Sequence, residues 1–256
     1  MSLRVLVHGA NGRMGIACMS ALKTDAAATL AFAIDRTAGE VNGFAVTTNL
    51  EGAMKLADVV IDFSAPVATQ ALLELCIAQK KPVVVGTTGL DASVHAVAKS
   101  LAATTPIVVA ANMSPGVAVL MHLVRRAAEL LGPDYDAEII ETHHRRKVDA
   151  PSGTALRLAE AVADAKSLEL ENAARHGRHG SVGARTATEI GIHAVRAGDV
   201  IGDHTVILAG SEERIELTHK AHSRDLFARG AVRAAHWVVG KAPGLYDMSD
   251  VLGVRR

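Results

Sequence analysis

Residues 141–156 read ETHHRRKVDAPSGTAL, a run dense in proton carriers and positive charge. Three chemistries use such a cluster: a metal site, a nucleic-acid patch, or a catalytic pocket for an anion. A metal is disfavoured. His143 and His144 are adjacent, and adjacent residues of an extended strand point to opposite faces. No familiar zinc spacing is present, and Arg145, Arg146 and Lys147 would repel a cation. The histidines of Arg175-His176-Gly177-Arg178-His179-Gly180 have no ligand partner in the sequence. His8, His95, His122, His193 and His236 read as structural or surface residues. No metal is expected. An anion pocket accounts for more of the segment. Histidine can supply a proton near neutral pH. Lysine can hold an anion and also donate a proton. Ser152-Gly153-Thr154 precedes an Ala- and Leu-containing pattern. The N–H groups of that helix start, with the Thr154 hydroxyl, can hold a carboxylate or phosphate. Taken alone, the segment also fits a solvated basic turn before an ordinary helix cap.

A second chemistry lies at the N-terminus. His8-Gly9-Ala10-Asn11-Gly12-Arg13-Met14-Gly15 follows a β-branched run and opens a helical pattern. Glycine allows the tight turn and close backbone approach, and the helix start offers unpaired N–H groups to a pyrophosphate. The next strand ends at Asp35, 20 residues beyond Gly15, where a carboxylate can accept from an adenosine ribose. Arg36 can accommodate a 2′-phosphate, so the Asp35-Arg36 pair predicts limited discrimination between NADH and NADPH. Gly86-Thr87-Thr88-Gly89 and Ala110-Ala111-Asn112-Met113 fall at later strand ends on the same expected edge. Ligands of open parallel sheets bind beyond such ends.

These residues need a scaffold, and the patterning supplies one. Strands are predicted at 3–7, 29–34, 58–62, 82–85 and 106–110, separated by helices at 13–23, from Pro66 through Cys76, and at 91–103. Nearly continuous apolar strands alternating with helices predict a doubly wound parallel sheet. From Ser114 the pattern changes. A long helix is followed by a strand at 136–142, a helix at 152–164, a polar stretch at 171–188, and strands at 189–196, 205–208 and 214–219. Ile215 and Leu217 alternate with Arg214, Glu216 and Thr218, predicting an antiparallel or mixed sheet with one buried face. Residues 210–213 read as a turn joining two of its strands. A closing amphipathic helix at 223–239 returns to the first part.

Bulk composition narrows the function classes. Acids and bases balance at 27 each in 256 residues, against the basic excess of a nucleic-acid or membrane-surface binder. Aromatics make up 3%, too few for base-stacking platforms. Cys18 and Cys76 are far apart in apolar patterns and read as buried free thiols. No leader and no membrane-length apolar run is read, so a soluble, cytoplasmic protein is expected. A different NAD(P)-dependent reductase of small carboxylates, or a dinucleotide-binding scaffold, fits the same features less fully.

The motifs together closely resemble the 4-hydroxy-tetrahydrodipicolinate reductase (dihydrodipicolinate reductase) family of the diaminopimelate route to lysine. The resemblance rests on the glycine loop, Gly86-Thr-Thr-Gly89, Ala110-Ala-Asn112 and the 141–154 segment. It continues through Val195-Arg-Ala-Gly-Asp199, Gly202-Asp-His-Thr205, Thr218-His-Lys220, Ser223-Arg224 and the segment 244–252. It implies a Rossmann-type dinucleotide domain, 1–113 plus 223–256, with an inserted α+β domain of mixed sheet, 114–222, for substrate binding and homotetramer assembly. It implies His143 as catalytic proton donor and Lys147 as second donor and substrate ligand. His144, Gly153 and Thr154 would bind the carboxylates of a small cyclic dicarboxylate. Gly9, Ala10, Asn11, Gly12, Arg13, Met14, Asp35, Arg36, Gly86, Thr87, Thr88, Ala110, Ala111, Asn112 and Met113 would hold NADH or NADPH. Hydride would reach the conjugated ring, and His143 or Lys147 would protonate it. Four sites depart from the family pattern: Met113 where an aromatic is common, Asp35 where Glu is frequent, His179 where an acid is usual, and Ser64-Ala65 where some members carry a base.

Overall fold

A computed structural model describes residues 2–254; Met1 and the last two positions of the 223–256 expectation lie outside the described residues. The chain forms two compact units. One comprises the chain up to Pro115 and again from Arg224, and the other is Gly116–Ser223.

The first unit opens with β1 (Leu3–His8), α1 (Arg13–Lys23) and β2 (Ala28–Ile34). A hairpin follows, β3 (Gly39–Val41) and β4 (Phe44–Thr47), then α2 (Leu50–Leu56) and β5 (Val59–Asp62). It continues through α3 (Pro66–Gln79), β6 (Val83–Val85), α4 (Ala92–Ala102) and β7 (Pro106–Val109). The second unit contains most of α5 (Pro115–Leu131), then β8 (Asp136–His143), α6 (Gly153–Ala165), α7 (Leu170–Ala173) and β9 (Ala174–His176). Its remaining strands are β10 (Ile190–Arg196), β11 (Asp203–Ala209) and β12 (Arg214–Lys220). The chain then returns to the first unit as α8 (Asp225–Val238), β13 (Gly244–Tyr246) and α9 (Met248–Leu252).

The first sheet has the order β13-β7-β6-β5-β1-β2-β4-β3. Every pairing is parallel except that of β3 with β4. The chain leaves β1 through β2 toward one edge and resumes at β5 toward the other, so the order reverses between β1 and β5. That switch point is where a crevice opens at the carboxyl edge of a doubly wound sheet. Helices cover both faces, which is why Val5, Leu6, Val7, Val59, Val60, Ile61, Val83, Val84 and Val85 are all fully buried. Local chemistry sets the helix starts. Pro66 occupies the first turn of α3, where a missing N–H costs nothing. Asp91 caps α4, accepting from the N–H groups of Ser93 and Val94 at 2.9 and 3.0 Å.

The second sheet has the order β12-β11-β8-β10-β9 and is mixed, with β8, β10 and β9 parallel and β11 antiparallel to both its neighbours. Ile139, Ile190, Val206 and Leu208 face α5 and α6 and pack on Val124, Leu158 and Val162. The turn after β11 closes as expected, Gly210 N–H donating to the Glu213 carbonyl at 2.9 Å.

Three expectations need correction. The 39–47 hairpin and α2 lie where no element was predicted. The polar stretch 171–188 contains most of α7 and all of β9. The alternation in β12 is real, because Ile215 and Leu217 pair with Leu208 and Val206 of the inward face. However, β12 is an edge strand beyond the helical cover, and Ile215 remains 40% exposed. The expected buried face is therefore only partly buried in the single chain.

Candidate active site

In the first unit the glycine loop joins the end of β1 to the start of α1. Gly9 has φ +83°, and a Cβ there would meet the Phe63 carbonyl and come within 2.9 Å of Ser64 Cα. A Cβ at Gly15 would meet the Gly9 carbonyl, so the third glycine lets α1 approach the loop. Gly12 stands at the N-cap of α1 and gives no side-chain cap, leaving the first-turn N–H groups for an anion. Ala10 is buried, Met14 is half-buried, and Asn11, Gly12 and Arg13 are exposed. Asp35 follows β2. One of its oxygens accepts from the Asn11 N–H at 2.9 Å, the other from the Arg36 N–H at 2.7 Å. The Asn11 amide donates to the Thr37 carbonyl at 3.1 Å. The acidic residue thus also pins the glycine loop, a role its spacing did not reveal. Arg36 is exposed.

The other two expected loops are only partly presented. Gly86 is buried against the Phe63 ring, which any side chain there would strike. Thr87 is 6% exposed and spends its hydroxyl inside the fold, donating to Asp62 at 2.8 Å and accepting from the Ser64 N–H at 3.0 Å. Thr88 and Ala111 are exposed, Ala110 is buried, and Asn112 accepts from the Ser114 N–H at 2.9 Å. Met113 is 1% exposed, its side chain in the core.

Sequence reading missed a buried polar cluster at the switch point. Asp62, fully buried at the end of β5, accepts from Ser64 Oγ, Thr69 Oγ1 and Thr87 Oγ1 at 2.6, 2.6 and 2.8 Å, and contacts His8 Nδ1 at 2.7 Å. Burial pushes its carboxyl up, but the His8 contact and the hydroxyls outweigh this and hold it below the usual range.

In the second unit the basic segment folds over the end of β8 and the start of α6. His143 closes β8, its Nδ1 2.6 Å from Glu141 Oε2. Glu141 is fully buried; its other oxygen accepts from the Ser152 N–H at 3.0 Å, and Arg196 of β10 donates to both oxygens at 2.8 and 3.0 Å. Burial pushes the Glu141 carboxyl up; Arg196, then His143, outweigh it, and the carboxyl is held low. Ser152 caps α6, accepting from the Ala155 N–H at 3.2 Å, and its hydroxyl lies 3.0 Å from His204 Nε2. The His204 ring stands edge-on to that of His143, centroids 5.2 Å apart. Burial first, then the electrostatic influence of the neighbouring His143, His219 and Lys147, outweighs an upward pull from Glu141 and brings His204 down to about 4, so it is neutral at physiological pH.

Lys147 is half-buried and donates to both carboxylate oxygens of Asp149 at 2.9 and 2.8 Å. Arg196 donates to the Asp149 carbonyl at 2.7 Å. The network therefore runs from His143 through Glu141 and Arg196 to the Asp149 that carries Lys147. His144 is half-buried after the strand end, while Gly153 and Thr154 form the first turn of α6. Arg146 pairs with Asp199 at 2.8 Å, both exposed. Among the described residues no cluster of His, Cys, Asp and Glu is arranged to hold a metal, and no helix is long and apolar enough to cross a membrane.

The arrangement has full-length relatives. The family model described as dihydrodipicolinate reductase, N-terminus, matches residues 3–113, and that for the C-terminus matches 116–252. The 4-hydroxy-tetrahydrodipicolinate reductase of Thiobacillus denitrificans is 50% identical, the match covering 100% of both chains. That of Halorhodospira halophila is 46% identical over 99% of this chain and 100% of its own. Among solved structures, a dipicolinate-bound dihydrodipicolinate reductase from Paenisporosarcina sp. TG-14 superposes with TM-score 0.77 at 25% identity, covering 96% of this chain and 98% of its own. GenD2 from gentamicin A biosynthesis, in complex with NAD, shares the fold at TM-score 0.60 and 16% identity over 99% of this chain and 91% of its own. The family models match 3–113 and 116–252, the similarity extends over nearly the whole length of this chain and of the two bacterial reductases, and the chain belongs to the dihydrodipicolinate reductase family.

Proposed function

We propose that the chain reduces the dehydrated form of 4-hydroxy-tetrahydrodipicolinate to tetrahydrodipicolinate, taking hydride from NADH or NADPH in the diaminopimelate route to lysine. The observation that carries the chemistry is His143 bonded to a buried carboxylate beside the N-terminus of α6. A proton donor and an anion-binding helix start lie together there, as a dicarboxylate that must be protonated requires. The dipicolinate in the Paenisporosarcina relative is a ligand of this class.

The residues around the glycine loop suit a dinucleotide. Gly9, Gly12 and Gly15 leave the close approach open, the uncapped start of α1 meets a pyrophosphate, and Asp35 with Arg36 meets the adenosine ribose. Thr88, Ala111 and the backbone of Gly86, Thr87, Ala110, Asn112 and Met113 line the nicotinamide side. The first unit is the cofactor domain on this reading and the second the substrate domain. Bound nicotinamide supplies the hydride. His144, Gly153, Thr154 and Lys147 hold the carboxylates and orient the ring, and His143 Nε2 or Lys147 Nζ protonates the carbon left anionic. Positioning and charge neutralisation share the work with proton transfer.

Assembly as a homotetramer through the outer face of the second sheet fits Ile140, Ile207 and Val195, which the single chain leaves half-buried or exposed. Two buried free cysteines suit the cytoplasm. A coupled assay that generates the substrate in situ, read as NADH or NADPH oxidation, tests the proposal. Oxidation of either cofactor with this substrate supports it; oxidation of neither, or only when other small carboxylates are supplied, overturns it.

A further inference from the structure

We propose that Glu141 is the positioning residue of this site, holding His143 in the one tautomer that leaves Nε2 to carry the transferable proton while seating the N-terminus of α6. The inference rests on the function proposed above for His143. Glu141 is fully buried, yet its carboxylate receives four contacts from three different segments: His143 Nδ1, the Ser152 N–H, and both terminal nitrogens of Arg196. An ionised carboxylate only accepts hydrogen bonds, so the proton between it and His143 sits on Nδ1. Nε2 is left as the atom that gains and loses a proton. It lies over Gly202, where even a Cβ would stand 3.0 Å away, so glycine keeps that side of the ring open.

The same carboxylate fixes the anion pocket. Its Oε1 accepts from the N–H of Ser152, the residue whose hydroxyl caps α6. The proton donor and the helix start that faces the anion are therefore held against one group. Arg196 compensates the buried charge, which would otherwise be costly, and reaches the Asp149 that binds Lys147. The ionisable and charged groups around His143 include Glu141 on its own strand, the adjacent His144, Arg196 on β10, His204 on β11, and Lys147 and Asp149 on the following loop, with His219 on β12 beyond His204.

The test compares Glu141→Gln and Glu141→Asp with the unmodified enzyme. Gln presents an N–H₂ where every neighbour already donates. Expected is a fall in kcat on the order of 10²-fold with cofactor affinity preserved. The pH at which kcat declines on the alkaline side moves lower, because the imidazolium loses its carboxylate partner. Glu141→Asp, which keeps the charge, recovers part of both. An unchanged alkaline limb in Glu141→Gln overturns the proposal, whatever happens to stability. Nitrogen-15 NMR of the unmodified protein, with His143 assigned by its absence in His143→Gln, supplies a reading that needs no folded Glu141 variant. The Nδ1–H tautomer is expected, and an Nε2–H tautomer overturns the proposal. That measurement does not depend on turnover, so a failure of the proposed reaction and a failure of the positioning role are told apart.

Discussion

His8 and Asp62 are register partners on adjacent parallel strands, and their side chains meet 2.7 Å apart, buried at the point where the order of the first sheet reverses. Asp62 also gathers hydroxyls from the loops that follow β5 and β6. The pair therefore ties together the backbone segments that present the glycine loop and the Gly86-Thr87 loop.

Replacing Asp62 with Asn swaps one acceptor oxygen for a donor amide among three donor hydroxyls. Unfolding free energy is expected to drop by about 2–4 kcal/mol. Dinucleotide affinity falls as the loops loosen. Thermal denaturation and fluorescence titration with NADH measure the two effects. A variant with unchanged affinity would limit Asp62 to stability alone.

His143→Gln and Lys147→Met separate chemistry from binding. Each is expected to lower turnover roughly 10²–10⁴-fold. Cofactor dissociation constants stay within about twofold, because both residues belong to the second unit. Near-normal turnover in both variants would remove them from the reaction.

Arg36 is exposed beside Asp35, and the proposed function assigns it the 2′-phosphate of NADPH. Arg36→Ala is expected to weaken NADPH about tenfold and NADH far less. Calorimetric titration with both cofactors decides, and equal losses would reassign Arg36 to the solvated surface.

Acid stability should carry the mark of Glu138. Its carboxyl is brought from 4.5 down to about 2; burial pushes it up, but Arg178, His193 and Arg185 outweigh this. A carboxylate with a lowered folded-state pKa contributes stability that is full above its unfolded value and disappears as pH falls toward the folded one. Loss is therefore expected between about pH 4.5 and 2. In Glu138→Gln that part of the slope flattens, as urea unfolding at stepped pH would show.

His204 makes a related prediction at milder pH. Because it is buried neutral with a value near 4, against an ordinary 6.5, the unfolded chain takes up its proton first. Stability falls as pH drops through that interval, by up to about 3 kcal/mol. His204→Gln should lessen the decline; an unaltered slope between those limits would show that His204 is not its source.

Much of the scaffold was legible because its physics is local. The central strands β1, β5, β6 and β7 are short, largely β-branched runs, mostly buried on both faces. The 39–47 hairpin carried a signal that went unused: Asn42-Gly43, both at positive φ, form its turn. β9 and β13 have three residues each, too few to show a period. His143, Lys147 and the capped helix start were visible as residue types in one segment. Glu141 and Asp149, which bond them, stand in the same segment, two residues from His143 and Lys147, and drew no role there; the partners that tie the site together lie far off in sequence. Arg196 stands 55 residues from Glu141, and Asp62 stands 54 from His8. Only strand pairing, β8 with β10 and β1 with β5, brings these charges together.

The division of the chain also sets an order of synthesis. Every residue of the second unit has been made once Ser223 has been joined, while the first still lacks α8 and β13. α8 packs on α1, β5, β6 and β7, and its Gly230 lies so close to the Met113 carbonyl that any side chain there would collide with it. Until that helix emerges from the ribosome, part of the first sheet has no cover. The unit whose strands come first is therefore completed last, and once residues up to 223 have left the ribosome the histidine segment sits on a finished sheet while the first unit still exposes apolar surface to chaperones and proteases.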